Sequence, residues 1–165
     1  MTCQDRQNGF TVAESLFAMA ILSVCVLALF PAITAGHVQM HYAMATQQAI
    51  RLANELMERI LALPYNDAHG VMTPGPEAGE TGPSSYDNID DYHGYSEAPG
   101  RLKDMAGSLL PSEYQSFSRS VTVVYGSQNI AAFGGPMPGL TITVTVRSGD
   151  GQTWTLQRFV PEPPS

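Results

Sequence analysis

The stretch GFTVAE at residues 9–14 and the apolar run SLFAMAILSVCVLALFPAITA at residues 15–35 decide how this chain is organised. The run has no charged side chain, and its length is close to the roughly 20 residues with which a helix spans a bilayer. Glu14 lies at its front edge, and Pro31 lies near its end. A carboxylate in a bilayer costs about 2.5–3.5 kcal/mol, and a proline inside a helix costs about 3 kcal/mol. We therefore expect both residues to have a function.

These residues form a pattern that resembles the N-terminus of type IV pilins and of the pseudopilins of type II secretion. In that family a short polar leader ends in Gly, an aromatic residue or Met follows, and a Glu stands at the fifth position after the Gly. An apolar span with a late proline comes next. The residues of this chain at the matching positions are Gly9, Phe10, Thr11, Glu14 and Pro31. The resemblance covers residues 1–65 well and the rest of the chain only in outline.

The resemblance implies that residues 1–9 are a prepilin leader peptide. A prepilin peptidase would cut between Gly9 and Phe10 on the cytoplasmic side of the membrane and would then N-methylate Phe10. Gly9 suits this cut because a side chain there would block the approach of the peptidase to the backbone. The leader departs from the family pattern in its charge, since Arg6 is its one basic residue and Asp5 offsets it. Orientation in the membrane depends on basic residues near the span.

Two alternatives exist for the N-terminus. One is an ordinary secretory signal that is cut after Gly36, and the other is an uncleaved signal anchor. The first alternative places Glu14 in the middle of the apolar region and gives it no role. The prepilin interpretation explains this acid, and we therefore favour it.

The net charge of the chain limits the classes of partner that we expect, and its cysteines limit the disulfides that it can form. The formal net charge is −7, and loss of the leader removes one acid and one base, so the processed chain keeps this charge. Because the few Lys and Arg residues are scattered, we expect no nucleic-acid partner. Cys3 lies in the leader and Cys25 in the apolar run, so the exported domain must fold without a disulfide. Within the family that the chain resembles, this favours a minor pilin or a pseudopilin.

Residues 10–63 are predicted to form one long helix with a weak zone at residues 31–36. Its first part, residues 10–35, would cross the membrane and serve assembly, and its second part, residues 36–63, is amphipathic. Small or apolar side chains recur there every three to four residues, as on one face of a helix. The members of this stripe are Tyr42, Thr46, Ala49, Ala53, Leu56, Ile60 and Leu63. Pro64 would end the helix, because a residue before proline avoids the helical conformation.

The last part of this helix adds to the resemblance. The segment LANELMERILALPY at residues 52–65 is similar to the segment that closes the helix in minor pilins and I-type pseudopilins. The alternative is an ordinary amphipathic core helix, which is compatible with the same fold.

The remainder of the chain divides into a loop region and a small sheet. Residues 64–116 are rich in proline, glycine and acids, and we expect a variable surface loop there. Residues 117–165 are predicted to form an antiparallel sheet. Its parts are a strand at 117–126, a loop at 128–139, a strand at 140–146, a tight turn at 148–151 and a partner strand at 153–160. The order of elements predicts the α+β class and fits the pilin fold, in which the second half of the helix packs on the sheet.

Glu14 is the sharpest candidate for a functional side chain. The resemblance implies that it pairs with the cationic N-terminal amine of Phe10 on a neighbouring subunit and so sets the register of assembly. Two charges in apolar surroundings lower each other's desolvation cost, which supports such a pair. The alternative is an acid that reaches the lipid headgroups from the first turn of the helix, where the dipole favours it. Pro31 and Gly36 either let the helix melt locally during assembly or form a tolerated kink.

We expect no cofactor and no catalytic residues, and hence no enzyme. The one candidate for an ion is a Ca²⁺ site, because Ca²⁺ takes six to eight oxygen ligands and the loop region is acidic. The acids of this candidate are Asp87, Asp90 and Asp91, with Glu97 nearby in sequence. They match no EF-hand loop, and the pattern favours the alternative of a solvated acidic loop. His37 and His41 lie one helical turn apart without a third metal ligand nearby, and His93 is no better placed.

The sequence therefore predicts a structural subunit, a minor pilin or I-type pseudopilin, of a type IV pilus or type II secretion filament. Its expected partners are other subunits of this kind, the prepilin peptidase and the inner-membrane assembly platform. It would cross the inner membrane once, with its C-terminal domain in the periplasm, before it enters a periplasmic or surface filament. The alternative is a signal-anchored periplasmic binding or enzyme domain, which would have an apolar pocket lined by convergent polar groups.

Overall fold

The computed structural model describes residues 11–65, 73–130 and 134–163. The elements in chain order are helix α1 (Val12–Leu61), a 3₁₀ turn (Asp90–Tyr92), strand β1 (Ser96–Glu97), a second 3₁₀ turn (Ser112–Tyr114), and strands β2 (Ser118–Ile130), β3 (Gly135–Arg147) and β4 (Thr153–Pro161). One long N-terminal helix is thus followed by a four-stranded antiparallel sheet, which confirms the predicted α+β class. The chain divides into two compact units, Met1–Ala43 and Met44–Ser165.

Helix α1 is a single helix of 50 residues, in agreement with the long helix predicted at residues 10–63. Beyond its last residue the chain tightens, because the N–H of Leu63 donates to the carbonyl of Ile60 at 3.1 Å. Pro64 then takes the chain out of the helical conformation, as the restriction on the residue before a proline predicts. The carbonyl of Pro64 accepts a hydrogen bond from the N–H of Ile89 at 3.1 Å, so the end of the helix is tied to the following segment.

The second unit has a hydrophobic core to which α1 contributes one face. The buried residues of α1 are Ala49, Leu52, Ala53, Leu56, Met57 and Ile60. Four of them belong to the predicted stripe, whereas Leu52 and Met57 widen it. The prediction is wrong for Tyr42, which is 51% exposed, because the packed part of α1 begins only at Ala45.

The sheet lies in the second unit and has the strand order β1-β2-β3-β4, with each neighbouring pair antiparallel. Side chains along β3 alternate between the core and the outer face, as expected for a strand with one buried face. The buried residues of β3 are Leu140, Ile142, Val144 and Val146. The turn between β3 and β4 is closed by a hydrogen bond from the N–H of Ser148 to the carbonyl of Gln152 at 2.9 Å. The hairpin predicted around residues 148–151 is therefore confirmed.

Strands β2 and β3 extend farther than predicted. Residues 128–130 and 135–139 lie in these strands, so the loop predicted at residues 128–139 is wrong for them. Residues 131–133 lie outside the described residues. Pro136 and Pro138 suggested a loop, yet both lie at the end of β3 beyond its ladder with β4. The carbonyl of Pro138 accepts a hydrogen bond from the N–H of Glu162 at 2.9 Å. A residue without an N–H is tolerated where a strand has no ladder partner on one of its two sides, as β3 has none in β4 at these two prolines.

The segment at residues 73–116 supplies core as well as surface, so the prediction of a surface loop is wrong for part of it; residues 66–72 lie outside the described residues. Its buried apolar side chains are Ile89, Tyr92, Leu102 and Tyr114. The ring of Tyr92 packs edge-to-face on Tyr86 and Tyr95, with ring centroids 4.9 and 5.4 Å apart. Single aromatic residues between turns carry no periodicity, so the sequence pattern gave no sign of their burial.

Candidate functional site

The side chain of Glu14 caps the N-terminus of α1. Its Oε2 accepts hydrogen bonds from the backbone N–H of Thr11 at 3.0 Å and from the Thr11 hydroxyl at 3.1 Å. In return, the Thr11 hydroxyl oxygen accepts a hydrogen bond from the backbone N–H of Glu14 at 3.3 Å. This reciprocal arrangement is a capping box, in which Thr stands at the N-cap and Glu at the third helical position. Glu14 therefore has a partner within its own helix.

The capping box is a role for Glu14 that the sequence analysis missed. A Thr or Ser followed three residues later by an acid, just before an apolar run, is the sequence signature of this cap. Thr11 and Glu14 have this spacing. The resemblance assigned the acid to an intermolecular pair, and the simpler local partner was not considered.

The first unit presents apolar side chains on all sides of α1. Between 63% and 74% of each of the following side chains is exposed: Leu16, Phe17, Ile21, Leu27 and Phe30. Helices that are apolar all round are found inside large cores or inside membranes. Among the described residues, α1 is long and apolar enough to cross a bilayer, a property that it shares with N-terminal signal sequences.

The helix continues without interruption through Pro31 and Gly36, where a weak zone was expected. The hydroxyl of Thr34 donates to the carbonyl of Phe30 at 3.0 Å, which adds a side-chain bond next to the proline. Local melting at residues 31–36 during assembly stays a prediction.

The residues at the predicted cleavage site, Gly9 and Phe10, lie outside the described residues. Cleavage and N-methylation therefore stay predictions from the sequence. Cys25 is a free thiol on the exposed surface of α1, in accord with its expected place in the apolar run.

The N-terminal residues are similar to a known protein family. Residues 4–30 match the family described as the prokaryotic N-terminal methylation motif. The chain carries a prepilin-type methylation motif. The matched range includes Gly9, Phe10 and Glu14, the residues on which the resemblance rests. No curated protein and no solved structure matches the chain.

The methylation motif and the apolar helix behind it support three statements about the chain. They support a type IV pilin-like protein that prepilin peptidase processes, and they support its anchoring in a membrane. A motif of this kind also points to a structural protein rather than an enzyme.

The acids predicted as a Ca²⁺ candidate, Asp87, Asp90 and Asp91, do not occur together as a group of carboxylates with metal-binding spacing in the described part of the chain. The carboxylate of Asp90 accepts a hydrogen bond from the Tyr125 hydroxyl at 2.6 Å. Asp87 contributes its backbone N–H, which donates to Asp91 Oδ2 at 2.9 Å. Glu97, which lies near them in sequence, forms an ion pair with Arg119. Of the predicted acids, Asp91 alone falls within a group of carboxylates with metal-binding spacing in the described part of the chain.

That group consists of Glu77, Glu80 and Asp91, whose ligand oxygens all lie within 4.8 Å of one another. Asp91 is fully buried, whereas Glu77 and Glu80 are half-buried. The two glutamates were not predicted as part of this group, because they lie eleven or more positions before Asp91 in the sequence and only the fold brings them together. The absence of any Lys or Arg between Arg59 and Arg101 was the one signal of unbalanced charge in this segment.

The histidines have no metal-binding arrangement in the described part of the chain. His93 lies against β2, with its Nδ1 2.7 Å from the carbonyl oxygen and 3.2 Å from the amide nitrogen of Val123. It thereby pairs with the backbone of β2 beyond the end of the short strand β1. His37 and His41 lie in α1 within the first unit.

A buried arginine, which the sequence analysis did not single out, joins several segments of the second unit. Arg119 Nε donates to Glu97 Oε2 in a close ion pair, and neither side chain is more than 5% exposed. The Arg119 guanidinium also donates to the carbonyl of Leu52 in α1 at 3.3 Å and to the carbonyl of Lys103. Glu55 Oε2 lies 3.6 Å from the same guanidinium. Arg119 thus connects α1, β1, β2 and the loop that follows β1.

An open cleft of about 990 Å³ lies beside this ion pair in the second unit. Three cationic side chains line it, those of Arg59, Arg101 and Lys103, and Met105 and Leu109 add apolar surface. The described residues that line the cleft include neither His nor Cys. It is the feature that the alternative of an anchored binding domain would use.

Proposed function

We propose that the chain is a structural subunit, a minor pilin or pseudopilin, of a type IV pilus or type II secretion filament. The observation that carries this proposal is the match of residues 4–30 to the methylation motif, directly followed by a helix that is apolar on all sides. A helix that is apolar on all sides needs lipid or other helices around it. A filament core built of packed helices would provide such neighbouring helices.

In this proposal the chain is first stored in the inner membrane, with residues 10–35 in the bilayer and the folded second unit in the periplasm. Prepilin peptidase removes residues 1–9 and methylates Phe10. An assembly platform in the inner membrane then passes the processed chain into a periplasmic or surface filament, where other subunits of the same kind surround α1.

The capping box at Thr11 is compatible with the proposed pairing of Glu14 across subunits. The two hydrogen bonds that the Glu14 side chain accepts from Thr11 both end on Oε2. Its second carboxylate oxygen, Oε1, is therefore left to accept a hydrogen bond from the Phe10 amine of a neighbouring subunit. One side chain would then cap its own helix and fix the register to the next.

The preference for a minor subunit rests on two features. No cysteine follows Cys25, so the second unit has no disulfide of the kind that many major pilins carry. The segment at residues 52–65 resembles the corresponding segment of minor pilins and I-type pseudopilins, and its apolar residues Leu52, Leu56 and Ile60 are buried in the core.

The proposal is tested by following a tagged full-length chain in its native cells, with and without the prepilin peptidase. We expect the chain in the sheared filament or secretion-complex fraction only when the peptidase is present. Equal recovery in the membrane fraction of both strains, with none in a filament fraction, would instead support the anchored binding domain with its open cleft.

A further inference from the structure

The segment after α1 carries negative charge that no nearby cationic residue in the sequence balances. Between Arg59 and Arg101 there is no Lys or Arg. The acids of this segment are Asp67, Glu77, Glu80, Asp87, Asp90, Asp91 and Glu97. An ionised carboxylate is rarely buried without a partner of opposite charge, so a buried acid in such a segment requires an explanation.

Asp91 is the buried acid in question, and its two oxygens differ. Oδ2 accepts hydrogen bonds from the backbone N–H groups of Asp87 at 2.9 Å and Asn88 at 3.0 Å. Oδ1 is inaccessible to solvent and has no hydrogen-bond partner among the described residues. A buried acceptor without a donor costs about 1–3 kcal/mol, and more when the group is charged. Asp91 Oδ1 is therefore a buried acceptor that no hydrogen bond from the described residues satisfies.

Two more carboxyl groups lie beside the Asp91 carboxylate. The ligand oxygens of Glu77, Glu80 and Asp91 lie within 4.8 Å of one another. The two glutamates hold each other in place, because the backbone N–H of Glu77 donates to Glu80 Oε2 at 2.9 Å and the N–H of Glu80 donates to the carbonyl of Glu77 at 3.1 Å. Both are half-buried, which leaves the group open to solvent on one side.

We propose that Glu77, Glu80 and Asp91 bind a Ca²⁺ ion. Ligands that are all carboxylate oxygens suit hard cations, whereas zinc and copper sites in proteins contain His or Cys. Ca²⁺ accepts irregular geometry and both modes of carboxylate binding, and it completes its shell of six to eight oxygens with water and backbone carbonyls. Mg²⁺ demands a near-ideal octahedron and gives up its water reluctantly, which fits a site on two irregular turns less well.

The ion would join two turns that already hold the second unit together. The turn at residues 87–91 is tied to the end of α1 through the bond between Ile89 and Pro64, and to β2 through the bond between Asp90 and Tyr125. The turn at residues 77–80 has its own hydrogen bonds, and just before it the N–H of Gly75 donates to the carbonyl of Asp90 at 3.1 Å. Bound Ca²⁺ would add a side-chain connection to this backbone bond and so stabilise the segment between α1 and the sheet.

A shared proton is the rival explanation for the same cluster. Burial raises the pKa of the Asp91 carboxyl, its hydrogen bonds to backbone N–H groups partly offset this, and the negative charge of Glu80 raises it further. A proton held between Glu80 and Asp91 would remove their repulsion without any metal. The two explanations differ in whether Ca²⁺ at neutral pH changes the protein.

The test uses the full-length chain in detergent, so it does not depend on filament assembly. Calorimetric titration with Ca²⁺ alone, after removal of metals with a chelator, should show one site. The melting temperature should rise with added Ca²⁺, because a ligand that binds only the folded state stabilises it. Glu80→Gln and Asp91→Asn keep the size and the acceptor oxygen of each side chain, and each should weaken the affinity at least tenfold. Glu113→Gln, at an exposed acid outside the cluster, is the matched control and should bind as wild type.

Glu80→Gln serves as the deciding variant if Asp91→Asn does not fold. Two outcomes would overturn the proposal. One is a wild-type chain whose melting temperature is unchanged at about 5 mM Ca²⁺, since extracellular calcium modules bind at about 10⁻⁴–10⁻³ M. The other is binding of equal strength in wild type and Glu80→Gln, which would place the ion elsewhere on this acidic chain.

Discussion

Arg119 of β2 and Glu97 of β1 form an ion pair that is almost completely removed from solvent. Glu97 uses its other oxygen, Oε1, to accept the backbone N–H of Lys103 at 3.1 Å, and the Arg119 guanidinium donates to the carbonyl of the same residue. Glu97 and Arg119 therefore both hydrogen-bond to the backbone of Lys103, in the loop after β1. Removal of the Glu97 charge leaves the buried guanidinium with the partly exposed Glu55, 3.6 Å away, as its ion-pair partner.

We predict that Glu97→Gln lowers the free energy of unfolding by roughly 3–5 kcal/mol, the usual effect of breaking a buried ion pair on one side. Urea denaturation of the full-length chain in detergent measures this loss. Glu58→Gln, at an exposed position of α1, should change the stability by less than about 0.5 kcal/mol. A loss for Glu97→Gln as small as that of the control would show that the guanidinium is satisfied by Glu55 and the carbonyls alone.

Gly139 and Gly126 face each other across β3 and β2 and provide a second, matched comparison. A Cβ at Gly139 would lie 2.4 Å from the carbonyl oxygen of Val160 and 2.6 Å from the ring of Phe159, whereas a Cβ at Gly126 meets nothing within 4 Å. Gly139→Ala should therefore destabilise the protein by about 1–3 kcal/mol, the typical cost of overpacking. Gly126→Ala should be close to neutral. Thermal unfolding of both variants checks this, and equal effects would mean that β4 is not held against β3 at this position.

Alkaline conditions should destabilise the second unit through Tyr95. Burial raises the pKa of the Tyr95 phenol, and the negative charge of Glu97 adds to the rise. The folded state therefore favours the neutral phenol more than the unfolded state does. The contribution to stability is complete below the unfolded pKa of 10.0 and is lost as the pH rises from there through the higher pKa of the folded state.

Unfolding in urea at a series of alkaline pH values measures this effect. Tyr95→Phe should lose less stability between pH 9 and pH 11, because it removes one group that must ionise on unfolding. The same pH dependence in wild type and Tyr95→Phe would assign the alkaline loss to other groups, such as Tyr86 or Tyr92, whose pKa values burial also raises.

Two substitutions at Glu14 separate its capping role from its charge. Gln at this position keeps a capping box with Thr11 but removes the negative charge, whereas Ala removes both. If the charge pairs with a neighbouring subunit, Glu14→Gln and Glu14→Ala should both be processed and both enter the filament several-fold less than wild type. Quantitative blotting of the filament fraction measures this. Normal incorporation of Glu14→Gln, with a defect in Glu14→Ala alone, would reduce the role of Glu14 to that of a helix cap.

The sequence was most informative where a pattern was long and periodic. The apolar run at residues 15–35 and the proline at position 64 located α1, and the alternation of residues 140–146 located β3. The same alternation could have predicted that Arg119 faces the core. It lies an even number of residues from Phe117, Val121 and Val123, which all face the core. A charged residue at an inward position signals a buried ion pair, although the pattern does not identify its partner.

The sequence was least informative in the segment between α1 and the sheet. Its turns are set by single glycines and prolines, and its buried residues, such as Tyr92 and Leu102, follow no period. The carboxylates of Glu77 and Asp91 are brought together by the path of the chain rather than by local spacing. Clusters of that kind require three-dimensional coordinates, whereas the capping box at Thr11 and Glu14 was readable from its spacing alone.

The state of the N-terminus tests most directly whether this chain is a processed filament subunit. Intact mass and N-terminal sequencing of the protein from native membranes should show a chain that begins at N-methylated Phe10. That result would establish prepilin processing and leave the choice among filament systems. A chain that begins at Met1, or near His37, would contradict the account and favour an anchored domain that remains in the membrane on its own.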